Sequence, residues 1–356
     1  MPTIHQFSPV TSAADGVSGS VFLIRKLLRS LGYTSEIYAW SSSGDLAAEV
    51  FPLDQFRSDK CDLLLVHHSM GHDLGDWLES TTCRRIIVYH NITPAEYFHK
   101  DSDEYYYSIK GRQQLRQWQP LFSAAISVSP YNRGELEEAG YQDPVVIPLL
   151  IDLSRFEDKI EPPNSSWRLG DDETMIISVG RLVENKRQHL LLEAFWHLKR
   201  MYPNRASRLV LVGGTTSTTY HHQIVARIYE LGLEREVTLT GKCSDAQLRW
   251  LYRHSQMMWC ASEHEGFCIP LVEANFFGLP VISFATSNIP DTLGQSGALI
   301  QEGCPTTMAS TTVSLLTDAV LAEKLIAAGT ANLQRYTMDT LLHQLGDFLA
   351  KQGIQP

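Results

Sequence analysis

The sequence predicts an α/β protein made of two doubly wound parallel-sheet domains, and three observations carry that reading. The chain has 356 residues, too many for one ordinary hydrophobic core and suited to two domains of roughly 150 to 200 residues. Short runs that are apolar throughout alternate with segments of helical periodicity, as buried parallel strands joined by crossover helices require. A stretch rich in proline and charge, 147–164, interrupts both periodicities near the middle.

The strand candidates are 61–67, 85–90, 124–129, 145–148, 174–180, 208–213, 237–241, 257–261 and 280–284. Each is too short for a helix and bounded by loop residues. Residues 21–31, 187–201 and 246–254 place apolar side chains three and four apart and read as helices, as does 340–351 at the end. The expected layout is a first domain over 1–148, a second over 149–338, and a terminal segment 339–356 packing back on the first. No fixed-period repeat or low-complexity tract is present.

Composition narrows the function classes. Hydrophobic residues make up 44% and charged residues 20%, an ordinary globular balance. The formal charge is −10, with 12 basic against 18 acidic residues over 1–150 and 18 against 22 over 151–356. Neither half offers the basic surface that a nucleic-acid backbone or a strongly anionic bilayer demands, so no nucleic-acid partner is expected. Six cysteines without a C-x-x-C pair suggest reduced, mostly buried thiols rather than a zinc site or a disulfide framework. The start has no leader pattern and no run approaches 18 apolar residues, which predicts a cytoplasmic protein.

The sharpest local feature is 262–280, SEHEGFCIPLVEANFFGLP, directly after a strand candidate. Pro270 suits the first turn of a helix, Leu271, Ala274 and Phe277 supply its apolar spacing, and Gly278 with Pro280 stops it. A helix N-terminus at the carboxyl end of a parallel strand is where ligands lie in open α/β sheets, and its free N–H groups favour an anion such as phosphate. Glu265 and Glu273 stand eight residues apart across this turn. By themselves they also fit ordinary acids near a helix start. Upstream, Gly180, Arg181 and Lys186 follow another strand in the pattern GRLVENK, where glycine admits close backbone approach and two cations suit a diphosphate.

In that order and spacing, Gly180-Arg181-Leu182 through Lys186, then Glu265-Gly266-Phe267 through Glu273-Ala274 with Gly278-Leu279-Pro280, resemble the retaining, nucleotide-sugar-dependent GT-B glycosyltransferases that carry the E-x7-E motif (glycosyltransferase family 4-like). The resemblance implies two Rossmann-like domains facing a central cleft, the first for the acceptor and the second for the donor. It implies that Arg181 and Lys186 hold the donor diphosphate, that Glu265 lies at the donor sugar and that Glu273 bonds the ribose. Gly266, Phe267 and Cys268 join them in the donor loop, with Gly180 behind the phosphates. Cys268 stands where such enzymes commonly have glycine, and Asp291 where many have glutamate. Gly241-Lys242 occupies the position from which similar enzymes contact the base, although a plain turn fits equally. No Asp-x-Asp motif is present, so no metal and no cofactor is expected; Arg181 and Lys186 offset the charge of the leaving diphosphate.

In the first half, Asp15-Gly16-Val17-Ser18-Gly19 reads as a loop between a strand and a helix, and Gly16 is the best match to the glycine that approaches donor and acceptor in similar enzymes; it is not a G-x-G-x-x-G dinucleotide loop. His90 ends a strand before Asn91, and the resemblance extends through YHNITPAEYF, placing His90 at the donor sugar as a catalytic residue. Of His67 and His68, adjacent in a strand, at most one faces the ligand side. Residues 105–118 combine three tyrosines with Lys110, Arg112 and Arg116, a pattern that fits a glycan or lipid phosphate but reads first as an ordinary amphipathic helix.

These readings lead to a metal-independent, retaining hexosyltransferase. Its donor would be a GDP- or UDP-linked sugar of mannosyl or glucosyl type, and its acceptor a glycan or lipid-linked hydroxyl. The resemblance suggests bacterial polysaccharide assembly with peripheral contact to the inner membrane face, and leaves the oligomeric state open. A sugar-nucleotide epimerase of the same shape and a non-catalytic nucleotide-sugar-binding subunit are the alternatives.

Overall fold

The computed structural model describes residues 2–12, 16–157, 159–163, 173–301 and 303–355, except for the side chains of 45–47. Asp15 and the part of the central linker from Asn164 to 172 lie outside the described residues. The chain divides into two units, Met1–Ile151 with Arg335–Pro356, and Asp152–Gln334.

The first unit is built on nine strands: β1 (Ile4–Phe7), β2 (Val10–Ser12), β3 (Ile37–Ala39), β4 (Ser41–Ser43), β5 (Phe51–Pro52), β6 (Leu63–His68), β7 (Arg84–Tyr89), β8 (Ala124–Ser127) and β9 (Val145–Val146). Seven form one parallel sheet in the order β5-β3-β1-β6-β7-β8-β9, and β2 pairs with β4 beside it. Its helices are α1 (Gly16–Ser30), α2 (Gly75–Ser80), α3 (Asp103–Gln117) and α4 (Pro130–Glu138). Every side chain of β6 is buried, because helices cover both faces of the sheet.

One expectation is corrected here. Residues 16–19 are not a loop: α1 starts at Gly16 and runs straight through Gly19. Glycine disfavours a helix interior by about 1 kcal/mol. The buried Ser18 nevertheless ties the first turn down, its Oγ accepting the Ser12 N–H at 3.0 Å from the end of β2.

The second unit has six strands, β10 (Thr174–Val179), β11 (Ser207–Val212), β12 (Val237–Gly241), β13 (Met257–Cys260), β14 (Val281–Phe284) and β15 (Gly297–Ile300), in one parallel sheet ordered β12-β11-β10-β13-β14-β15. Helices α5 (Gln188–Met201), α6 (Thr218–Leu231), α7 (Asp245–His254), α8 (Ile269–Phe276), α9 (Ile289–Leu293), α10 (Pro305–Thr317) and α11 (Ala319–Asn332) surround it. The strands read as continuous apolar runs because both faces are packed. In β13, Met257 and Trp259 enter one core with Phe195, Leu198 and Met308, while Met258 and Cys260 enter the other with Tyr252, Leu271 and Phe156. Among this unit's elements, β15, α6, α9, α10 and α11 were not among the sequence candidates.

The last helix, α12 (Met338–Lys351), belongs to the first unit. Leu341, Leu345, Phe348 and Leu349 pack with Ile4, Leu27, Leu28 and Leu63, and the Arg84 guanidinium donates to the Gln352 carbonyl. Among the described residues no helix is long and apolar enough to cross a membrane.

Candidate active site

In the second unit the turns after β10, β11 and β13 come together at the carboxyl end of the sheet. Gly180 directly follows β10, and a Cβ built on Gly213, at φ 143°, would lie 2.1 Å from the Gly180 carbonyl oxygen. Only glycine fits at 213, a close approach that the sequence reading did not register. A Cβ on Gly214 would press to 2.9 Å from Lys242 Cγ, so Lys242 crosses the next turn with its side chain exposed. Arg181 is exposed at the same edge and takes part in no ion pair among the described residues. These groups line one strand-end edge, with Arg181 and Lys242 open to solvent.

Lys186 and Glu265 meet below that edge. The Lys186 ammonium donates to Glu265 Oε1 in an ion pair between side chains 20% and 10% exposed. Burial alone would depress the ammonium, but Glu265 and the nearby cysteine sulfurs outweigh it and hold Lys186 above its ordinary value. Burial likewise pushes the Glu265 carboxyl up, and Lys186 leads the neighbouring groups that together reverse it, leaving a carboxylate below the usual range. The backbone fixes the two loops together: Glu263 N–H donates to the Asn185 carbonyl at 2.8 Å, Asn185 Nδ2 donates to the His264 carbonyl at 3.2 Å, and Glu265 N–H donates to Ser287 Oγ at 2.8 Å.

These loops hold unusual backbone. Among the described residues five non-glycine residues have positive φ: Asn91, Asp143, Arg187, Cys268 and Ser287. Three of them, Arg187 (49°), Cys268 (74°) and Ser287 (44°), flank the Lys186–Glu265 pair, and Asn91 (84°) follows His90. Left-handed residues of this kind gather where surrounding contacts over-determine a functional geometry.

Glu273 sits in the first turns of α8, 2% exposed, with both oxygens engaged. Arg155 donates to Oε1, and Tyr252 Oη donates to Oε2 at 2.8 Å. Burial pushes the Glu273 carboxyl above its ordinary value despite these partners. Arg155 also reaches Asp245 at 3.0 Å. Arg155 and Tyr252, 118 and 21 residues away in sequence, were not found by sequence reasoning because no local pattern links them to Glu273. A ribose accepted by Glu273 would use its remaining lone pairs beside Arg155.

Gly266 is half-buried, Phe267 is buried, and Cys268 caps α8 in the left-handed conformation. The turn returns Cys268 to the end of β13, so Cys260 Sγ, Cys268 Sγ and a Glu265 oxygen lie within 4.8 Å of one another. The cysteine spacing in sequence gave no hint of this. Three such ligands could surround a metal ion, but the Lys186 ammonium already neutralises Glu265 and opposes a second cation there.

In the first unit His90 follows β7, 8% exposed. Its Nε2 lies 2.8 Å from His67 Nδ1, and His67 Nε2 lies 3.0 Å from Gln6 Oε1. The chain of contacts fixes protons. Gln6 Oε1 accepts from His67 Nε2–H, so His67 Nδ1 accepts from His90 Nε2–H, and His90 Nδ1 is left as a lone pair. That nitrogen is buried and without a hydrogen-bond partner among the described residues. Burial, with the neighbouring His68, depresses His90 to about 3, and burial, with His90, holds His67 well below the ordinary histidine value. His68 points the opposite way and reaches the Gly111 carbonyl at 2.9 Å.

The segments after β1 and β6 border a cavity of about 810 Å³ in the first unit, lined by Val10, Trp40, Met70, Asp73 and Tyr107 among others. Trp40 is 71% exposed. Residues 105–117 lie in α3, capped by Ser102, where Lys110 pairs with Asp73 and Tyr107 Oη donates to Asp73 at 2.7 Å. Gly16, at the start of α1, lies in this unit.

Comparison with known proteins agrees with the motif reading. Residues 161–332 match the family described as glycosyl transferases group 1. A D-inositol 3-phosphate glycosyltransferase of Stackebrandtia nassauensis is 28% identical over 204 residues, covering 53% of this chain and 45% of that protein. Mannosylfructose-phosphate synthase of Agrobacterium fabrum is 31% identical over 119 residues, covering 32% of this chain and 26% of that protein. The chain thus aligns with less than half the length of either relative. Two solved structures share the fold throughout. HepE of Anabaena, crystallised with UDP and glucose, has a TM-score of 0.76 at 18% identity and covers 99% of this chain and 100% of its own. Sucrose-phosphate synthase of Thermosynechococcus elongatus has a TM-score of 0.74 at 17% identity and covers 99% of each chain. With two parallel α/β sheets, the chain has the fold of the GT-B glycosyltransferases, and residues 161–332, in its second unit, match the glycosyl transferases of group 1.

Proposed function

We propose that the protein transfers a hexosyl unit from a nucleoside-diphosphate sugar to a hydroxyl of a glycan or lipid-linked acceptor, with retention at the anomeric carbon and without a metal. The observation that carries this reading is the buried Lys186–Glu265 pair at the strand ends, beside exposed Arg181 and the glycine-lined turn at Gly180 and Gly213. In this reading Arg181 and Lys186 take the charge of the leaving diphosphate, a role that costs little reorganisation because Lys186 is already held in place. The carboxylate of Glu265 faces the sugar and Glu273 holds the ribose, with Lys242 near the base and Gly266, Phe267 and Cys268 shaping the loop. His90 presents an Nδ1 lone pair to a sugar hydroxyl, a neutral interaction that suits its depressed basicity. Gly16 allows backbone to approach the donor.

A UDP-linked glucosyl donor is favoured because HepE of Anabaena has been crystallised with UDP-glucose. The cavity with Trp40 and Tyr107 in the first unit suits the acceptor, since an aromatic face stacks against the apolar face of a sugar. Assembly of a polysaccharide in the cytoplasm, with peripheral contact to the inner membrane face, is the setting this chemistry fits. Both glutamates, both cations and His90 are present together, which favours turnover over a pure binding role. The test is release of nucleoside diphosphate from UDP-, GDP- and ADP-sugars with and without candidate acceptors. A binding subunit gives affinity and no release; an epimerase returns an isomerised nucleotide sugar.

A further inference from the structure

Cys260 closes β13 and Cys268 opens α8, and the loop between them, which carries Glu265, folds back so that both sulfurs lie within 4.8 Å of each other and of a Glu265 oxygen. We propose that Cys260 and Cys268 form a redox-modification site, a dithiol that a peroxide closes to a disulfide, weakening the donor loop's hold on a nucleoside diphosphate. All six cysteines are free thiols in this structure. Cys268 occupies a left-handed position, φ 74°, where glycine would be unstrained, yet the chain keeps a thiol there, aimed at another thiol.

The electrostatics support the geometry. The Cys268 thiol donates to Cys260, which holds Cys260 down at about 7, whereas the same contact and burial hold Cys268 well above its ordinary value. Cys260 is therefore the attacking sulfur. Its thiolate attacks one oxygen of hydrogen peroxide, giving a sulfenic acid and hydroxide, which takes the departing thiol proton as water. Cys268 sulfur then attacks the sulfenic sulfur, and the expelled hydroxide leaves with the Cys268 proton as a second water. Two thiols are oxidised and one peroxide is reduced. Exposures of 5% and 8% admit a small oxidant rather than a protein one.

The consequence for the site follows from proximity. Both sulfurs lie within 4.8 Å of an oxygen of Glu265, the partner of Lys186. A disulfide of about 2.05 Å draws the start of α8 toward β13 and shifts the loop that carries Glu265. The effect on nucleotide binding rests on the function proposed above; formation of the disulfide does not.

The experiment treats the full-length protein with hydrogen peroxide and maps thiols by mass spectrometry after cleavage at Glu263 or Glu265, which separates the two cysteines unless they are bonded. UDP binding is measured by calorimetry on the same samples. The expected result is a joined pair of peptides, reversed by dithiothreitol, and UDP affinity reduced by at least about fivefold on oxidation. Cys260→Ala and Cys268→Ser should each abolish the joined peptides and the oxidative loss, and either variant suffices if the other misfolds. Cys61→Ser controls for Cys61 and Cys83, whose thiols also touch. Separate peptides after peroxide, or a disulfide that leaves UDP affinity unchanged while UDP still binds, overturns the proposal. So does a zinc ion retained at one per chain and lost in Cys260→Ala. A disulfide in a protein that binds no nucleoside diphosphate supports the modification site and counts against the proposed function alone.

Discussion

Lys186 and Glu265, 79 residues apart in sequence, form a buried ion pair that joins the two motif loops of the second unit. Each residue stabilises the charged form of the other, so removing one leaves the other ionisable group buried and alone, which costs about 3 to 5 kcal/mol. Lys186→Ala should therefore lower both stability and diphosphate affinity. Arg181→Ala, at an exposed side chain outside any ion pair among the described residues, should lower diphosphate affinity with little loss of stability. Thermal denaturation and UDP titration of both variants test the contrast. Equal stability of the two would mean that the pair is not buried as described.

Glu273 is expected to serve both structure and ligand. Glu273→Gln keeps a partner for Tyr252 Oη but removes the charge facing Arg155. Nucleoside diphosphate affinity should fall by about 1 to 3 kcal/mol, the range for a hydrogen bond to a charged group. Calorimetry with UDP and GDP measures it, and an unchanged Kd for whichever nucleotide binds removes Glu273 from the ribose.

The proton order along Gln6, His67 and His90 gives a third prediction. Gln6→Glu offers His67 an acceptor and no donor, so it preserves His90 Nδ1 as a lone pair and should retain turnover. Gln6→Leu frees the tautomer and should lower kcat more than it raises KM for the donor, because an interaction at the reacting sugar is felt in the transition state. His90→Ala should lower kcat further while leaving bare UDP affinity unchanged. Wild-type turnover in His90→Ala would return that histidine to a packing role.

Acid should destabilise the first unit. His67, His68, His72 and His90 are all depressed by burial, His68 to about 4 and His72 and His90 to about 3. The unfolded chain binds protons at these residues below about pH 6.5, and the folded chain does not until far lower. A depressed histidine thus costs nothing above pH 6.5 and loses stability as pH falls from there toward 4. With four such groups the slope is up to roughly 5 kcal/mol per pH unit near pH 5. Denaturant midpoints between pH 8 and 4.5 check this, and a flat profile would show that the four imidazoles titrate normally.

Much of the second unit was legible because its candidate site groups sit within two short segments, so that strand, turn and helix signals carry Lys186, Glu265 and Glu273 together. Arg155, Tyr252 and the Gly213 contact were not, since each reaches the site through tertiary packing that leaves no local trace. In the first unit His90 was marked by its strand end, but Gln6 and His67, which set its proton, were not assigned. Gly16 and Gly19 suggested a loop, whereas the segment is the first turn of α1, where Ser18 Oγ accepts from the Ser12 N–H. The cysteines looked scattered because chain reversal at Cys268 is invisible to spacing counts.

The central claim, that the second unit binds a sugar nucleotide and activates its diphosphate through Arg181 and Lys186 without a metal, is tested most directly by nucleoside diphosphate release. The wild-type protein and Arg181→Ala are incubated with UDP-, GDP- and ADP-sugars and a mixture of glycan acceptors, in EDTA and again with Mg²⁺. The account predicts release from one class of sugar nucleotide by the wild type, undiminished in EDTA and reduced at least about a hundredfold in Arg181→Ala. Release that appears only with Mg²⁺, or that survives the loss of Arg181, would contradict it.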